Sequence, residues 1–246
     1  MTFKSFAPDP ERDLPLIGQL ARAELQPGDI YTCRILLADN EIDRDCEQFS
    51  TAALSKMAEL YPGKPGIRDH SWSSHEQIAR VYRAETEKTA KKNSVGEQLV
   101  ELLADVYILR EGNEKLIADI EGGILKEVSV GVGCKAPVCT ICGAPRFMCE
   151  HIPGRDYDGR KCWHRIDEVQ DVFEFSFVAV PAQRGAGVRK SYDPHDPAEE
   201  FLRRLEAGEY DPDERMLALL SKAVREAAGR DERRRAILAE NAKYLR

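Results

Sequence analysis

Six Cys and His side chains fall between positions 139 and 164: Cys139, Cys142, Cys149, His151, Cys162 and His164. Thiolates and imidazoles are the donors zinc takes in tetrahedral sets of four, and a Cys-x-x-Cys turn delivers two thiolates at chelating distance. Cys139-x-x-Cys142 is such a turn, and Gly143 is placed to let it close. A metal also accounts for the folding of this Gly- and Pro-rich stretch, which has little apolar periodicity, because ion binding supplies folding energy. Cys139, Cys142 and Cys149 lead as ligands, with His151 ahead of Cys162 as the fourth. Whichever of Cys162 and His164 is left over stands behind the ligands or at the surface. Four protein donors leave no open position for water, so the expected ion is a structural zinc.

A different chemistry is open to Ser129, if an imidazole takes its proton and a further group steadies that imidazole. The stretch EGGILKEVSVGVG (121–133) alternates Val128, Val130 and Val132 with Glu127, Ser129 and Gly131. That period of two predicts a strand, with Ser129 on the face of Glu127 and Gly131. Gly131 places no side chain beside the hydroxyl, so another group or a substrate backbone has room to approach. The chain has five histidines. His151 and His164 belong to the cysteine-rich stretch and His195 opens the C-terminal segment. His70 and His75 remain, both at the entrance to a predicted strand.

The elements that would position these groups can be read in order. A short helix is expected at Leu14–Leu25, and strands at Ile30–Leu37, Gln77–Thr86, Leu99–Leu109 and Val172–Val180. Ser50 is a plausible N-cap for a helix carrying Leu54, Met57, Ala58 and Tyr61. Asn113 is placed to cap another with Leu116, Ile117 and Ile120, closed by Gly122-Gly123. EKTAKKNSVGEQ looks like an exposed hairpin loop. In the last strand Phe173, Phe175 and Phe177 share one face, and Glu174, Ser176 and Val178 the other. Residues 1–29 form an N-terminal segment and 30–190 a core interrupted by the insert at 134–165. A charged tail, 191–246, carries helix-start signals at Asp196 and Asp211. The expected class is α+β: a mostly antiparallel, barrel-like sheet flanked by helices, with a zinc-binding insert and a helical tail.

At 246 residues and 42% hydrophobic, the chain can bury a sizeable core. A net charge of −7 argues against general attraction to DNA or anionic membranes, and no specific nucleic-acid partner is expected. No apolar run approaches the roughly 18 residues that span a bilayer, and the N-terminus lacks a signal peptide's apolar centre. A soluble protein made in a cytoplasm is therefore expected. Seven cysteines, four of them between Cys139 and Cys162, suit metal ligation in a reducing compartment better than a disulfide framework.

Three blocks carry a family resemblance: GKPGIRDHSWS, IEGGILKEVSVG and FEFSFVAVPAQ. In this order they resemble the His, Ser and Glu-x-Ser…Pro-Ala blocks of tailed-phage prohead maturation proteases, over roughly Ile30 to Lys190. The resemblance implies a serine endopeptidase similar to herpesvirus assemblin, built on a closed β-barrel flanked by helices. It implies His70 as base, Ser129 as nucleophile and Glu174 as third member. The assemblin type uses a second histidine there, which would be His164; Asp69 and His75 are further candidates to orient His70. The implied substrates are scaffold protein and major capsid protein, cut inside the immature capsid in the host cytoplasm. A homo-oligomer without membrane attachment is expected. Shorter members of the family lack the cysteine-rich insert. Two other classes compete: a non-enzymatic assembly protein that binds scaffold or capsid subunits, and a zinc-dependent hydrolase built on the Cys/His cluster.

Overall fold

The computed structural model describes residues 8–189. The helical tail expected over 191–246 lies outside that range. Asp9 caps the first helix, α1 (Pro10–Ile17): its carboxylate accepts the Glu11 and Arg12 N–H groups, and Pro10 occupies the first helical position. The apolar spacing pointed to Leu14–Leu25 instead. The cap lies upstream of that stretch, and the helix ends at Gly18. α2 (Thr51–Leu60) starts as expected, with the Ser50 hydroxyl accepting the Ala53 N–H at 3.2 Å. α3 (Glu114–Glu121) buries Leu116, Ile117 and Ile120. Asn113 stands before it without capping it; its amide donates to the Leu109 carbonyl at 3.0 Å.

The strands are β1 (Ile30–Asp39), β2 (Glu47–Phe49), β3 (Pro65–Arg68), β4 (Ala79–Lys92), β5 (Gln98–Leu109), β6 (Val128–Cys134), β7 (Val138–Cys139), β8 (Asp156–Tyr157), β9 (Arg160–Lys161), β10 (His164–Ile166), β11 (Val169–Phe177) and β12 (Gly187–Val188). Seven form one sheet in the order β12-β1-β5-β4-β3-β11-β6. Every neighbouring pair is antiparallel except β3 with β11. The class is therefore α+β with a mixed, mostly antiparallel sheet. β4 and β5 extend into the expected loop, leaving only a tight turn in which Asn93 Oδ1 accepts the N–H groups of Val95 and Glu97.

The sheet is not closed into the barrel that the resemblance implied. Its edge strands β12 and β6 are joined by one bridge, Glu127 to Gly187, and by the Val188 N–H to the Lys126 carbonyl at 2.7 Å. β12 has two residues, too few for a closing ladder. Among the described residues no helix is long and apolar enough to cross a membrane.

The core gathers Cys33, Ile35 and Leu37 of β1, Leu102 and Val106 of β5, Leu54 and Met57 of α2, Leu116 and Ile120 of α3, and Phe175 and Phe177 of β11. Gly66 of β3 is obligatory there, since a Cβ would stand 2.3 Å from the Phe175 ring. β1, β4 and β5 are also locked by charge. Asp105, 2% exposed, accepts Arg34 Nε at 2.7 Å and Arg83 Nε at 2.6 Å from the strands on either side. α1 is anchored by Asp13, equally buried, which accepts Tyr82 Oη at 2.8 Å and Arg12 Nε at 2.9 Å.

Burial pushes the Asp13 carboxyl up, but Arg12, the Asp9 N–H and Tyr82 outweigh it and the net shift is downward from 3.8. A carboxyl whose folded pKa lies below its unfolded one contributes stability above the unfolded value and loses it as pH falls through the folded one. Asp13→Asn is therefore expected to lower unfolding free energy by about 1–3 kcal/mol near neutral pH. Urea unfolding as a function of pH should show the gap from wild type narrowing as pH falls below the ordinary carboxyl range.

Candidate functional site

β3 runs parallel to β11 with Arg68 opposite Phe177, and the chain then turns sharply. The Asp69 N–H donates to the Phe177 carbonyl at 3.0 Å. Asp69 and His70 both take left-handed backbone, at φ +51° and +52°. Such conformations cost non-glycine residues about 1–2 kcal/mol each, so the surroundings must hold them. Ser176 does this. Its hydroxyl accepts the His70 N–H at 3.0 Å and donates to Glu174 Oε2 at 2.6 Å. The other carboxylate oxygen, Oε1, lies 2.9 Å from His70 Nδ1.

Backbone and ring of His70 are thus tied to one pair of residues on β11. Ser176 is fully buried and Glu174 3% exposed, whereas the His70 side chain is 43% exposed. A carboxylate only accepts, so the network assigns the hydrogen to Nδ1 and leaves Nε2 as the basic nitrogen. Among the candidates for the partner of His70, Glu174 is the residue bonded to the ring. Asp69 is exposed; His75 sits in an exposed turn, where its N–H donates to the Ser73 hydroxyl. His164 lies in a separate sheet with β2 and β7.

The β6–β11 register sets Ser129 opposite Ser176 and Gly131 opposite Glu174. Directly opposed side chains share a face, with Cβ atoms about 4.5–5.5 Å apart. Ser129 therefore stands on the face that carries Glu174, Ser176 and His70. Gly131 was expected to leave room beside the hydroxyl, and the Glu174 carboxylate takes that room. A Cβ at Gly131 would stand 2.2 Å from Glu174 Oε1. Ser129 is half-buried, and among the described residues no hydrogen bond joins it to His70. Catalytic hydrogen bonds often tighten only once substrate is bound.

Phe173 departs from its expected place. The register slips between Val172 and Glu174, leaving Phe173 unpaired in a β-bulge that re-aims its ring. The ring packs over Gly133, where a Cβ would lie 3.1 Å away, and against Trp72 at 5.5 Å between centroids. Phe173 is 40% and Trp72 76% exposed, so this aromatic pair, formed by the neighbours of Glu174 and Ser71 in the chain, stands open to solvent. Phe175 and Phe177 remain in the core. Ser176 is the functional residue that sequence reasoning missed: alternation placed it beside Glu174, but its bond to His70 depends on the distant β3 strand.

In the insert, the donor atoms of Cys139, Cys142, Cys149 and His151 lie within 4.8 Å of one another, as do those of Cys139, Cys162 and His164. These two sets could hold a metal ion such as zinc. The Cys-x-x-Cys turn closes as expected: Gly143 adopts φ +75° and donates its N–H to the Cys139 carbonyl at 2.8 Å. The Ile141 N–H points at Cys139 Sγ, 3.4 Å away, and the His151 N–H at Cys149 Sγ, 3.2 Å away. Burial pushes the Cys139 thiol up, but the N–H groups of Cys142 and Ile141 and the neighbouring thiols bring it down to about 6. It is thereby prepared as a thiolate ligand. The insert is seated by β10, which pairs antiparallel with β7 and parallel with β2, a strand of three residues just before Ser50.

No family model and no curated protein matches the chain. Its site must be judged on geometry. Ser176→Ala removes one partner from both the His70 N–H and Glu174 Oε2 inside a fully buried contact. Denaturant unfolding is expected to show a loss of about 1–3 kcal/mol, the range for orphaning a buried polar group. Wild-type stability in that variant would contradict the supporting role given to the hydroxyl.

Proposed function

We propose that the chain is a serine endopeptidase of the prohead-maturation type, acting on scaffold and major capsid proteins during capsid assembly. One observation carries this reading: the imidazole of His70 is held by a buried carboxylate, 2.9 Å away, on the sheet face that also presents Ser129. A nucleophilic serine needs this combination of hydroxyl, base and orienting acid. The three sequence blocks converge on it from separate parts of the chain.

In this mechanism His70 Nε2 takes the Ser129 proton as Oγ attacks a peptide carbonyl, then passes it to the leaving amine. Water repeats the cycle on the acyl-enzyme. Glu174 fixes the tautomer and stabilises the imidazolium. The oxyanion donor follows from strand geometry. The Val178 N–H bonds the Glu127 carbonyl, so Glu127, Ser129 and Gly131 turn their backbone groups toward β11. Val130, the residue after the nucleophile, turns its N–H to the open edge of β6. There it can receive the oxyanion. Gly131–Gly133 continues the strand rather than turning away from it.

The insert is read as a structural zinc module held by Cys139, Cys142, Cys149 and His151. When bound, the ion supplies folding energy to a segment with few apolar contacts of its own. The enzyme would work as a homo-oligomer within the immature capsid in the host cytoplasm.

The test is incubation of the purified chain with the scaffold and capsid proteins of its virus, read by electrophoresis and mass spectrometry. Wild type is expected to cut both. Ser129→Ala and His70→Ala should each lower the rate by about 10³-fold or more, the double variant should be little worse, and Glu174→Gln should cost less. Cleavage by Ser129→Ala at the wild-type rate would overturn the reading. Binding of scaffold without cleavage by wild type would favour an assembly protein instead.

A further inference from the structure

One ion held by Cys139, Cys142, Cys149 and His151 has its four donors, which leaves Cys162 and His164 without a task. They are nevertheless among the most deeply buried polar side chains of the chain. Cys162 is 0% and His164 2% exposed, and among the described residues neither ring nitrogen of His164 has a hydrogen-bond partner. Buried polar groups are almost always satisfied, and each unsatisfied one costs about 1–3 kcal/mol. Something other than the groups of the described residues is needed to engage that imidazole.

The surroundings of His164 are built for a ligand role. Paired backbone rather than a loose loop fixes its position: His164 lies opposite Cys139 in the β10–β7 ladder, and its N–H bonds the Cys46 carbonyl at 2.9 Å. The intervening Trp163 is clamped to Thr140, whose N–H and hydroxyl both donate to the Trp163 carbonyl. Cys162 is held by two backbone bonds, its N–H to the Arg155 carbonyl at 2.7 Å and its carbonyl to the Gly154 N–H at 2.8 Å. The Sγ atoms of Cys139 and Cys162 are 3.8 Å apart. Zn–S bonds of about 2.3 Å at tetrahedral angles place two sulfurs about 3.8 Å apart.

From this we infer that the insert holds two metal ions rather than one. The second is bound by Cys139, Cys162 and His164, with the Cys139 thiolate bridging to the first. Charge supports the count. Four thiolates, from Cys139, Cys142, Cys149 and Cys162, neutralise two divalent ions while the two imidazoles stay neutral, so the cluster, buried at its Cys139, Cys162 and His164 end, carries no net charge. A single ion would leave two thiolates uncompensated or protonated. The second set supplies three protein donors, leaving one tetrahedral position for water or another small ligand. Loading it would tie β10, and through it β2, to the Cys-x-x-Cys turn.

The inference rests on reading the insert as a metal module, and stoichiometry separates the two claims. The full chain, stripped with chelator under reducing conditions, is titrated with Zn2+ and passed through a desalting column, and bound metal is measured by elemental analysis. About two equivalents per chain are expected for wild type and about one for His164→Ala. In a parallel Co2+ titration the paramagnetic signal of the first ion should weaken as the second fills, because a shared thiolate couples their spins. One equivalent in wild type overturns the second site and leaves the first standing; none overturns both. Two equivalents in folded His164→Ala also overturn the assignment, since His164 would then not be a ligand. Should that variant fail to fold, the wild-type count alone decides.

Discussion

Glu174 is a carboxylate with 3% exposure on β11, the strand beside the edge strand β6, and an uncompensated charge there would be very costly. Both oxygens are satisfied, Oε1 by His70 and Oε2 by Ser176. Much of the local architecture serves this contact. β11 must lie between β3 and β6, so that the turn after β3 brings His70 over the carboxylate and β6 brings Ser129 beside it. Gly131 must lack a side chain, or the carboxylate loses its place. Two consecutive left-handed residues, Asp69 and His70, are tolerated because the Ser176 hydroxyl and the Phe177 carbonyl each take one of their N–H groups.

The one parallel pairing in the main sheet, β3 with β11, has a consequence for chemistry. It carries the chain out of β3 at the end where Glu174 and Ser176 face β6. The imidazole is half-exposed while its supports are buried. In the proposed mechanism the base needs solvent or substrate at one nitrogen and a fixed partner at the other, and this layering is compatible with both. The bulge at Phe173 adds an aromatic pair with Trp72 that stands open to solvent. The insert follows a different logic: Cys139, Cys162 and His164 are buried in it, and its donor atoms converge in two sets that could hold a metal ion.

Sequence patterning reached the features that depend on neighbours along the chain. Alternating valines placed β6, Ser50 started α2, and the Cys-x-x-Cys-Gly turn closed as its residues demand. Features set by distant pairing were not legible. β2 has three residues whose pairing partner, β10, lies far along the chain. The bulge that re-aims Phe173 exists only in register with β6. The short β12 leaves the sheet open where a barrel was expected. The roles proposed for His70, Ser129 and Glu174 came from resemblance, whereas the bonds of Ser176 depend on β3 and β11 lying side by side.

The central claim is that this network makes Ser129 a nucleophile, and covalent labelling addresses it without any knowledge of the natural substrate. The chain would be treated with a fluorophosphonate, and the adduct located by peptide mass spectrometry. The account predicts one adduct per chain, on Ser129, formed much more slowly in Glu174→Gln and absent in His70→Ala. An unlabelled Ser129 in folded wild-type protein, or equal labelling with and without His70, would contradict it.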